Sequence, residues 1–347
     1  GRWWPGVPDL VFGVVLALGL IGGRTGFLND PGTFWHVRLG REILQTGQVP
    51  RVDELTYTRA GRPWVDQSWA FDAGLAWLVD RWGWSGAVAA AALLLAGIYG
   101  ALARGLIRDG ASPLVAAVVA ILAAGIGSIH FLVRPHLFTF AFVFWTLRAC
   151  RIYHERGGWT LWSVPLVEVA WANLHGGFLA GPLIVATAAL GHALSGRWDR
   201  KRRRRLGGYA AVFVLTVLAT FINPYGPGLY GHVFGLLVSS RVTDLITEYQ
   251  PSPFGRTETR VLEWVVLGLI ALPVFSRNRP TRYDLVHALV WLHLALGTIR
   301  HAPLFAFAVA PVLATLLDGL LSPAGEGAKR LGGWSAWPIV ASLMLVL

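Results

Sequence analysis

Apolar stretches close to 20 residues recur along the whole chain, and they constrain its fold more than any other feature. A helix of about 20 apolar residues crosses the roughly 30 Å hydrocarbon core of a bilayer. Only 14% of the residues are charged, compared with about 25% in soluble domains. Backbone groups in lipid must find hydrogen-bond partners within the protein, which favours helices. We therefore predict an all-α polytopic membrane protein that forms a single transmembrane domain over residues 1–347.

The apolar stretches predict about eleven transmembrane helices. For residues 226–239 we predict a lateral or re-entrant helix instead of a transmembrane span. Since the sequence is still apolar at Leu347, we expect a further C-terminal region beyond it. The predicted spans are 9–28, 84–107, 112–131, 136–153, 160–174, 177–195, 206–222, 260–276, 283–299, 302–320 and 334–347.

Basic residues concentrate in alternate connections between the predicted spans. Cytoplasmic connections carry the excess of Lys and Arg in membrane proteins, so these connections predict the cytoplasmic side, with the N-terminus also inside. We expect a bacterial-type cytoplasmic membrane. The same rule accounts for the net charge of +11 without a nucleic-acid partner. The basic connections contain Arg104 and Arg108, Arg148–Arg156, Arg197–Arg205, Arg277–Arg282, and Lys329 and Arg330.

The opposite, external side receives the polar connections. The longest is a first external loop over residues 28–83, and residues 223–259 form a second. Long loops without a role are uncommon, so the first loop is the main functional candidate. Spacing of apolar residues predicts an interfacial helix over 33–46 that ends at Gly47, and a short helix over 67–81. Phe34, Val37, Ile43 and Leu44 give the first helix its apolar stripe.

Three side chains in the external loops are candidates for acid–base catalysis. Asp30 directly follows the first span, and the alternative for it is a cap of the helix near Thr33. His36 lies on the interfacial helix, where a structural role is the alternative. Glu248, in the second external loop, is the best acidic partner for Asp30. If a metal ion is used, Asp30 and Glu248 are its candidate ligands, and Mg²⁺ or Mn²⁺ its candidate identities.

Polar residues at tight links between spans are candidates for binding a lipid phosphate. Arg134 and Arg300 each stand in such a link, and guanidinium groups match phosphate oxygens. The alternative for both is snorkelling to the interface. Asn173 and His175 lie at the junction of two predicted spans, directly before two glycines that permit a sharp turn. The alternative to a binding role for them is a polar hairpin tip. The remaining candidates for phosphate binding are His136 and His301, and His301 would help His36 to orient the phosphate. Trp35 and Trp64 would stack on a sugar or line a lipid groove.

Other function classes lack their motifs. The single Cys150 excludes an intrachain disulfide and makes a cysteine metal site improbable. The sequence contains no GxGxxG, P-loop, HExxH or GxSxG pattern. Nucleotide chemistry on the cytoplasmic side is therefore unsupported.

The layout resembles the GT-C superfamily of membrane glycosyltransferases, which includes oligosaccharyltransferases, protein mannosyltransferases and aminoarabinose transferases. The resemblance rests on the first loop, which runs Asp30-x4-Trp35-His36-x3-Gly40-x2-Ile43 and continues to Asp53. The motifs Asn173-Leu-His175-Gly and Asn223-Pro-Tyr-Gly226 add to it. In that superfamily the first external loop begins with a catalytic acid, the position that Asp30 takes here. Superfamily members often carry paired acids there, whereas Asn29 and Pro31 flank Asp30, which puts a metal-dependent mechanism in doubt.

The resemblance implies that the protein transfers a sugar from a polyprenyl-phosphate carrier to an acceptor on the external face. Membrane lipid and the polyprenyl-linked sugar would be its partners, and protein partners are open. Two other classes remain: a non-enzymatic membrane subunit or scaffold of a larger complex, and a transporter of a lipid-linked substrate. A transporter would be expected to show an internal repeat and polar groups near mid-membrane. The polar residues here cluster at the ends of the predicted spans.

Overall fold

A computed structural model describes residues 5–321, and this part of the chain is all-helical with no strand. The predicted span at 334–347 lies outside the described residues. Thirteen α-helices are joined by short 3₁₀ segments and loops. They are α1 Val7–Phe27, α2 Gly32–Thr46, α3 Trp69–Arg108, α4 Pro113–Gly127, α5 His136–Arg156, α6 Val164–Leu174, α7 Ala180–Leu194, α8 Arg200–Ala219, α9 Gly228–Val238, α10 Ser240–Leu245, α11 Arg260–Phe275, α12 Arg282–Gly297 and α13 Ala302–Leu321.

Within residues 5–321, five helical segments are long and apolar enough to cross a membrane. The other helices in residues 5–321 are shorter or less apolar along their length. The helical, membrane-protein class predicted from the sequence is therefore confirmed. The five segments are Val7–Phe27, Trp69–Arg108, Pro113–His130, Gly176–Leu194 and Ile299–Leu321.

Helix α3 is divided by Gly83, whose φ of +66° lies in the left-handed region. Glycine adopts that conformation without the steric cost that a Cβ would add. The part before Gly83 packs on α2 in the first loop, and the part after it enters the bundle. This break coincides with the boundary predicted between the short helix at 67–81 and the span at 84–107.

Helix α2 lies against the first part of α3, and it ends at the left-handed Gly47, where the sequence predicts its end. The two helices approach closely at Gly40, where a Cβ would overlap the carbonyl oxygen of Asp72. The prediction of the apolar stripe is correct for two of its four residues. Val37 and Ile43 are buried, but Phe34 and Leu44 are half exposed. The face of α2 that contacts α3 is centred on Gly40, and Phe34 and Leu44 lie at its two ends, further from Gly40 along the helix than Val37 and Ile43.

The core forms around α13, which is buried along most of its length. It contacts α12, α4, α5 and the second part of α3. Alanine is frequent among the buried residues of α3 and α13, for example at Ala92, Ala103, Ala306 and Ala310, all of which are at most 1% exposed. Small residues allow transmembrane helices to pack closely.

The bundle has two chemically distinct ends. At one, the C-terminal turns of α3 and α5 meet the start of α12, and Arg148 and Arg151 pair with Asp109. We call it the ion-pair end. At the other, the first loop meets the starts of α5, α7 and α13, and we call it the cavity end. Arg151 lies fifteen residues along α5 from His136, or roughly 22 Å at 1.5 Å per residue.

Candidate functional site

A cavity of about 500 Å³ opens at the cavity end. The last residues of the first loop, the starts of α5, α7 and α13, helix α9 and residues 246–249 form its walls. One part of the wall is polar. It consists of His36, Gln67, Ser68, His130, Arg134, His136, Thr139, His175, Glu248, Tyr249, Arg300 and His301.

The rest of the cavity wall is largely aliphatic. Helix α9 supplies several of these side chains, and its opposite face is exposed at Phe234 and Val238. A cavity with a cationic part beside a hydrocarbon part matches an amphiphilic ligand that has a charged head and an apolar chain. The aliphatic lining residues are Leu179, Leu183, Val233, Leu236, Leu237, Ile246, Leu294 and Leu304.

Arg134 joins two acidic residues from distant parts of the chain. Its Nη1 donates to Asp30 Oδ2 and to Glu248 Oε1, both at 3.0 Å. Asp30 reaches it because Val133 N donates to Phe27 O at 2.9 Å, which ties the α4–α5 link to the end of α1. The other Asp30 oxygen, Oδ1, accepts from Gly32 N at 2.6 Å. Asp30 is not itself among the residues that line the cavity.

The contacts of Arg134 bear on the predicted metal ligands. The guanidinium lies between Asp30 and Glu248 and neutralises both, so this pair does not offer a cation site in the arrangement observed. No group of three or more His, Cys, Asp or Glu side chains suited to a metal ion is found among residues 5–321. Arg134 thus takes the position between the two carboxylates that a cation would occupy.

Arg300 differs from Arg134 in having no acidic partner among the described residues. Its guanidinium lies 4.3 Å from the centre of the Tyr249 ring, a cation–π contact that holds it at the cavity wall. The neighbouring His301 bonds the Thr298 hydroxyl. Arg300 thus presents an unneutralised positive charge to the cavity, which suits an anion.

His175 is held in one tautomer by its neighbours. Gly177 N donates to its Nδ1 at 3.1 Å, so Nδ1 is an acceptor and the proton lies on Nε2. The Thr139 hydroxyl, 2.7 Å from Nδ1, also donates to it, while accepting from Trp171 Nε1 at 2.8 Å. The ring therefore lines the cavity with an N–H donor.

His136 and His130 are two further histidines on the cavity wall, and they contact each other. His136 Nε2 donates to the carbonyl oxygen of His130 at 2.5 Å. The buried Nε2 of His130 has no hydrogen-bond partner among the described residues. His175 and His301 line the same cavity, as do Arg134 and Arg300, so the wall carries several polar nitrogen atoms.

His36 is bonded to a buried acid that sequence reasoning missed. Its Nδ1 lies 2.7 Å from Asp72 Oδ1, and the Asp72 side chain is fully buried. Asp66 lies near enough to Asp72 for the charge of Asp72 to act on it. Burial, with the charge of Asp72, raises the pKa of Asp66 to about 7. Asp66 also accepts from Ser68 N at 3.1 Å, directly before α3 begins.

Besides Asp30, three predicted site residues do not line the cavity. Trp35 is 46% exposed on the far side of α2. Trp64 lies in the first loop, where its backbone N–H donates to Arg51 O. The side chain of Asn173 is fully used within the protein, because it accepts from Trp69 Nε1 and donates to the carbonyls of Val169 and Ile222. These contacts give Asn173 the structural role that was the alternative for it.

The structure also adds wall residues that the sequence did not single out. Gln67, Ser68 and Tyr249 lie within the predicted external loops, and His130 lies at the external end of the predicted span 112–131; that shared side was the available signal. Asp72 also lies in the predicted first external loop. Its partner was not predictable, because only the approach of α2 at Gly40 brings His36 to it.

Comparison of the chain with models of known protein families and with curated proteins finds no match. The candidate site therefore stands on its own geometry.

Proposed function

We propose that the protein is a GT-C-like membrane glycosyltransferase with about eleven spans in the cytoplasmic membrane of a bacterium and a cytoplasmic N-terminus. It would move a sugar from a polyprenyl-phosphate carrier to an acceptor at the external face. The cavity end is then external, and the ion-pair end, with most of the basic connections, is cytoplasmic.

The amphiphilic cavity is the observation that carries the proposal. Arg134, Arg300 and the Nε2–H of His175 would bind the phosphate, and the aliphatic wall from α7 and α9 would hold the first isoprene units. The charge on the leaving phosphate grows as the bond to the sugar breaks. Cations held in place before the reaction stabilise that charge, and they do so more strongly where water is excluded.

Asp30 has two possible roles within this proposal. It can deprotonate the acceptor, which is what the superfamily resemblance implies, or it can hold Arg134 against the phosphate. Both of its oxygens already accept hydrogen bonds, from Arg134 and Gly32, and it does not line the cavity. These contacts favour the second role. Glu248 shares it from the opposite side of Arg134.

Binding of the carrier lipid tests the proposal first. Protein in nanodiscs is titrated with undecaprenyl phosphate and, as the matched anionic control, with phosphatidylglycerol. We expect saturable binding of the first lipid, weakened about tenfold to a hundredfold in Arg300→Ala, because an unneutralised guanidinium contributes about 1.4 to 2.7 kcal/mol to an anion site. Arg260→Ala removes an exposed arginine that is not part of the cavity wall, and it should bind as wild type does.

Transfer itself is measured by screening radiolabelled polyprenyl-phosphate sugars for release of polyprenyl phosphate. Binding without transfer from any donor would favour a lipid-linked-substrate transporter, which reconstitution into vesicles would then detect. Equal affinity for both lipids would contradict the proposal and leave the scaffold alternative.

A further inference from the structure

We propose that His36 is the base that deprotonates the acceptor hydroxyl, and that Asp72 is the positioning residue that holds its ring. The inference rests on the proposed glycosyl transfer and specifies its chemistry. It assigns the proton transfer to α2 and α3 and not to the acid at the start of the first loop.

The position of His36 follows from the packing of α2 on α3. Gly40 lies one turn after His36 on the same face of α2, and its missing Cβ admits the α3 backbone at Asp72. The ring of His36 also meets the ring of Phe71 edge-on, with 5.4 Å between centroids. One ring nitrogen is therefore fixed on a buried carboxylate, and the ring forms part of the cavity wall.

The buried acid determines which nitrogen is available. When the Asp72 carboxylate accepts from Nδ1–H, the lone pair of the neutral imidazole lies on Nε2. Oδ2 of Asp72 and Oδ2 of Asp66 are both buried, and neither has a protein donor among the described residues. When Asp66 holds a proton, the negative charge of this pair of acids lies on Asp72, which is bonded to His36.

The reaction then balances as follows. Nε2 of His36 takes the proton from the acceptor O–H, and the acceptor oxygen forms a bond to C1 of the sugar. The bond between C1 and the phosphate oxygen breaks, and its electron pair leaves with polyprenyl phosphate. Arg134 and Arg300 stabilise the leaving charge, while Asp72 stabilises the imidazolium, which returns its proton to water.

The opposite bonding patterns of Asp30 and His36 support this assignment. Asp30 is bound to a guanidinium, and both of its oxygens already accept hydrogen bonds within the protein. His36 is bonded to Asp72 through Nδ1, and its Nε2 has no hydrogen bond to the described residues. Of the two groups, His36 therefore has the uncommitted atom that can meet the acceptor hydroxyl at the cavity wall.

His36→Asn is the decisive variant, because the asparagine amide N–H can replace Nδ1–H as donor to Asp72 while Nε2 is lost. We expect kcat to fall by about 10²–10⁴-fold, the usual contribution of a general base, with KM for the carrier-linked donor within about threefold of wild type, since the phosphate site is untouched. Asp72→Asn should lower kcat by about ten- to a hundredfold, as loss of an orienting partner does. His293→Gln, an exposed histidine on α12, is the matched control and should keep wild-type kinetics.

Rescue separates a base from a structural residue. In His36→Ala, millimolar imidazole should restore turnover several-fold, and it should not do so in Arg300→Ala. Wild-type protein that transfers sugar from no donor would overturn the proposed function and this inference together. Turnover of His36→Asn close to wild type, or a fall in kcat of His36→Ala that imidazole does not rescue, would overturn this inference alone.

Discussion

The two ends of the bundle contain the same residue types arranged for opposite purposes. At the ion-pair end, Arg151 contacts Asp109 at 2.8 Å and Glu155 at 3.0 Å, and it also bonds Asp284. Arg148 adds a 2.6 Å contact to Asp109. Every charge in this network has a partner, and the space beside it is divided between cavities of about 50 and 300 Å³.

At the cavity end the charges are distributed unevenly. Asp30 and Glu248 both bond Arg134. Arg300 has no acidic partner among the described residues and lies over the ring of Tyr249. The cavity there is continuous and measures about 500 Å³. The difference indicates that fully paired charges connect helices, whereas an arginine without an acidic partner beside an open volume is ready to bind an anion.

Of the changes considered, removal of Arg151 should lower the stability of the protein most, because it disrupts the ion-pair end. Arg151→Ala leaves the buried Asp284 without its cation and weakens the charge balance at Asp109, and loss of one partner in such a pair costs about 3–5 kcal/mol. Thermal unfolding in detergent measures the loss. Arg104→Ala is the matched control, because its contact to Asp9 is half exposed and 3.4 Å long. Exposed pairs contribute at most about 1 kcal/mol. If both variants lost the same stability, the ion-pair end would not be the stabilising element that the paired charges indicate.

The stability of the cavity end should depend on pH through the buried Asp66. Its pKa is 3.8 in a model peptide and about 7 in the folded protein, so folding favours the protonated form. The stability that this group contributes is complete below pH 3.8 and declines as the pH rises towards 7, by on the order of 4 kcal/mol. We measure the unfolding midpoint from pH 4 to 8. Asp66→Asn should remove this part of the pH dependence, and an unchanged profile in the variant would refute the assignment.

Asp30→Asn should have the smallest effect of the three and separates the two roles of Asp30. Arg134 loses one anionic partner but keeps Glu248, so we expect KM for the carrier-linked donor to change by about tenfold or less while kcat stays within about threefold. Steady-state kinetics with varied donor concentration measure both. A fall in kcat of about a hundredfold or more would return the role of acceptor base to Asp30 and remove it from His36.

Much of the fold was predictable because it depends on local patterns. The α2 helix and its end at Gly47, and the break in α3 near Gly83, follow from apolar spacing and from glycine conformation. Residue pairing in the site was not predictable in the same way. Phe34 and Leu44 have the spacing of buried residues, yet they are half exposed, because the depth of a helical stripe depends on which neighbour packs against it.

The sequence by itself determined the membrane class, the helical elements and the gathering of polar side chains at the ends of apolar segments. These properties arise from the length of apolar stretches and from the requirement that backbone groups in lipid are hydrogen bonded. Tertiary structure alone decided which charges are neutralised. Arg134 meets residues 104 and 114 positions away, and His36 meets Asp72 36 positions away. Such contacts depend on how helices pack against one another, and no local spacing in the chain specifies that packing.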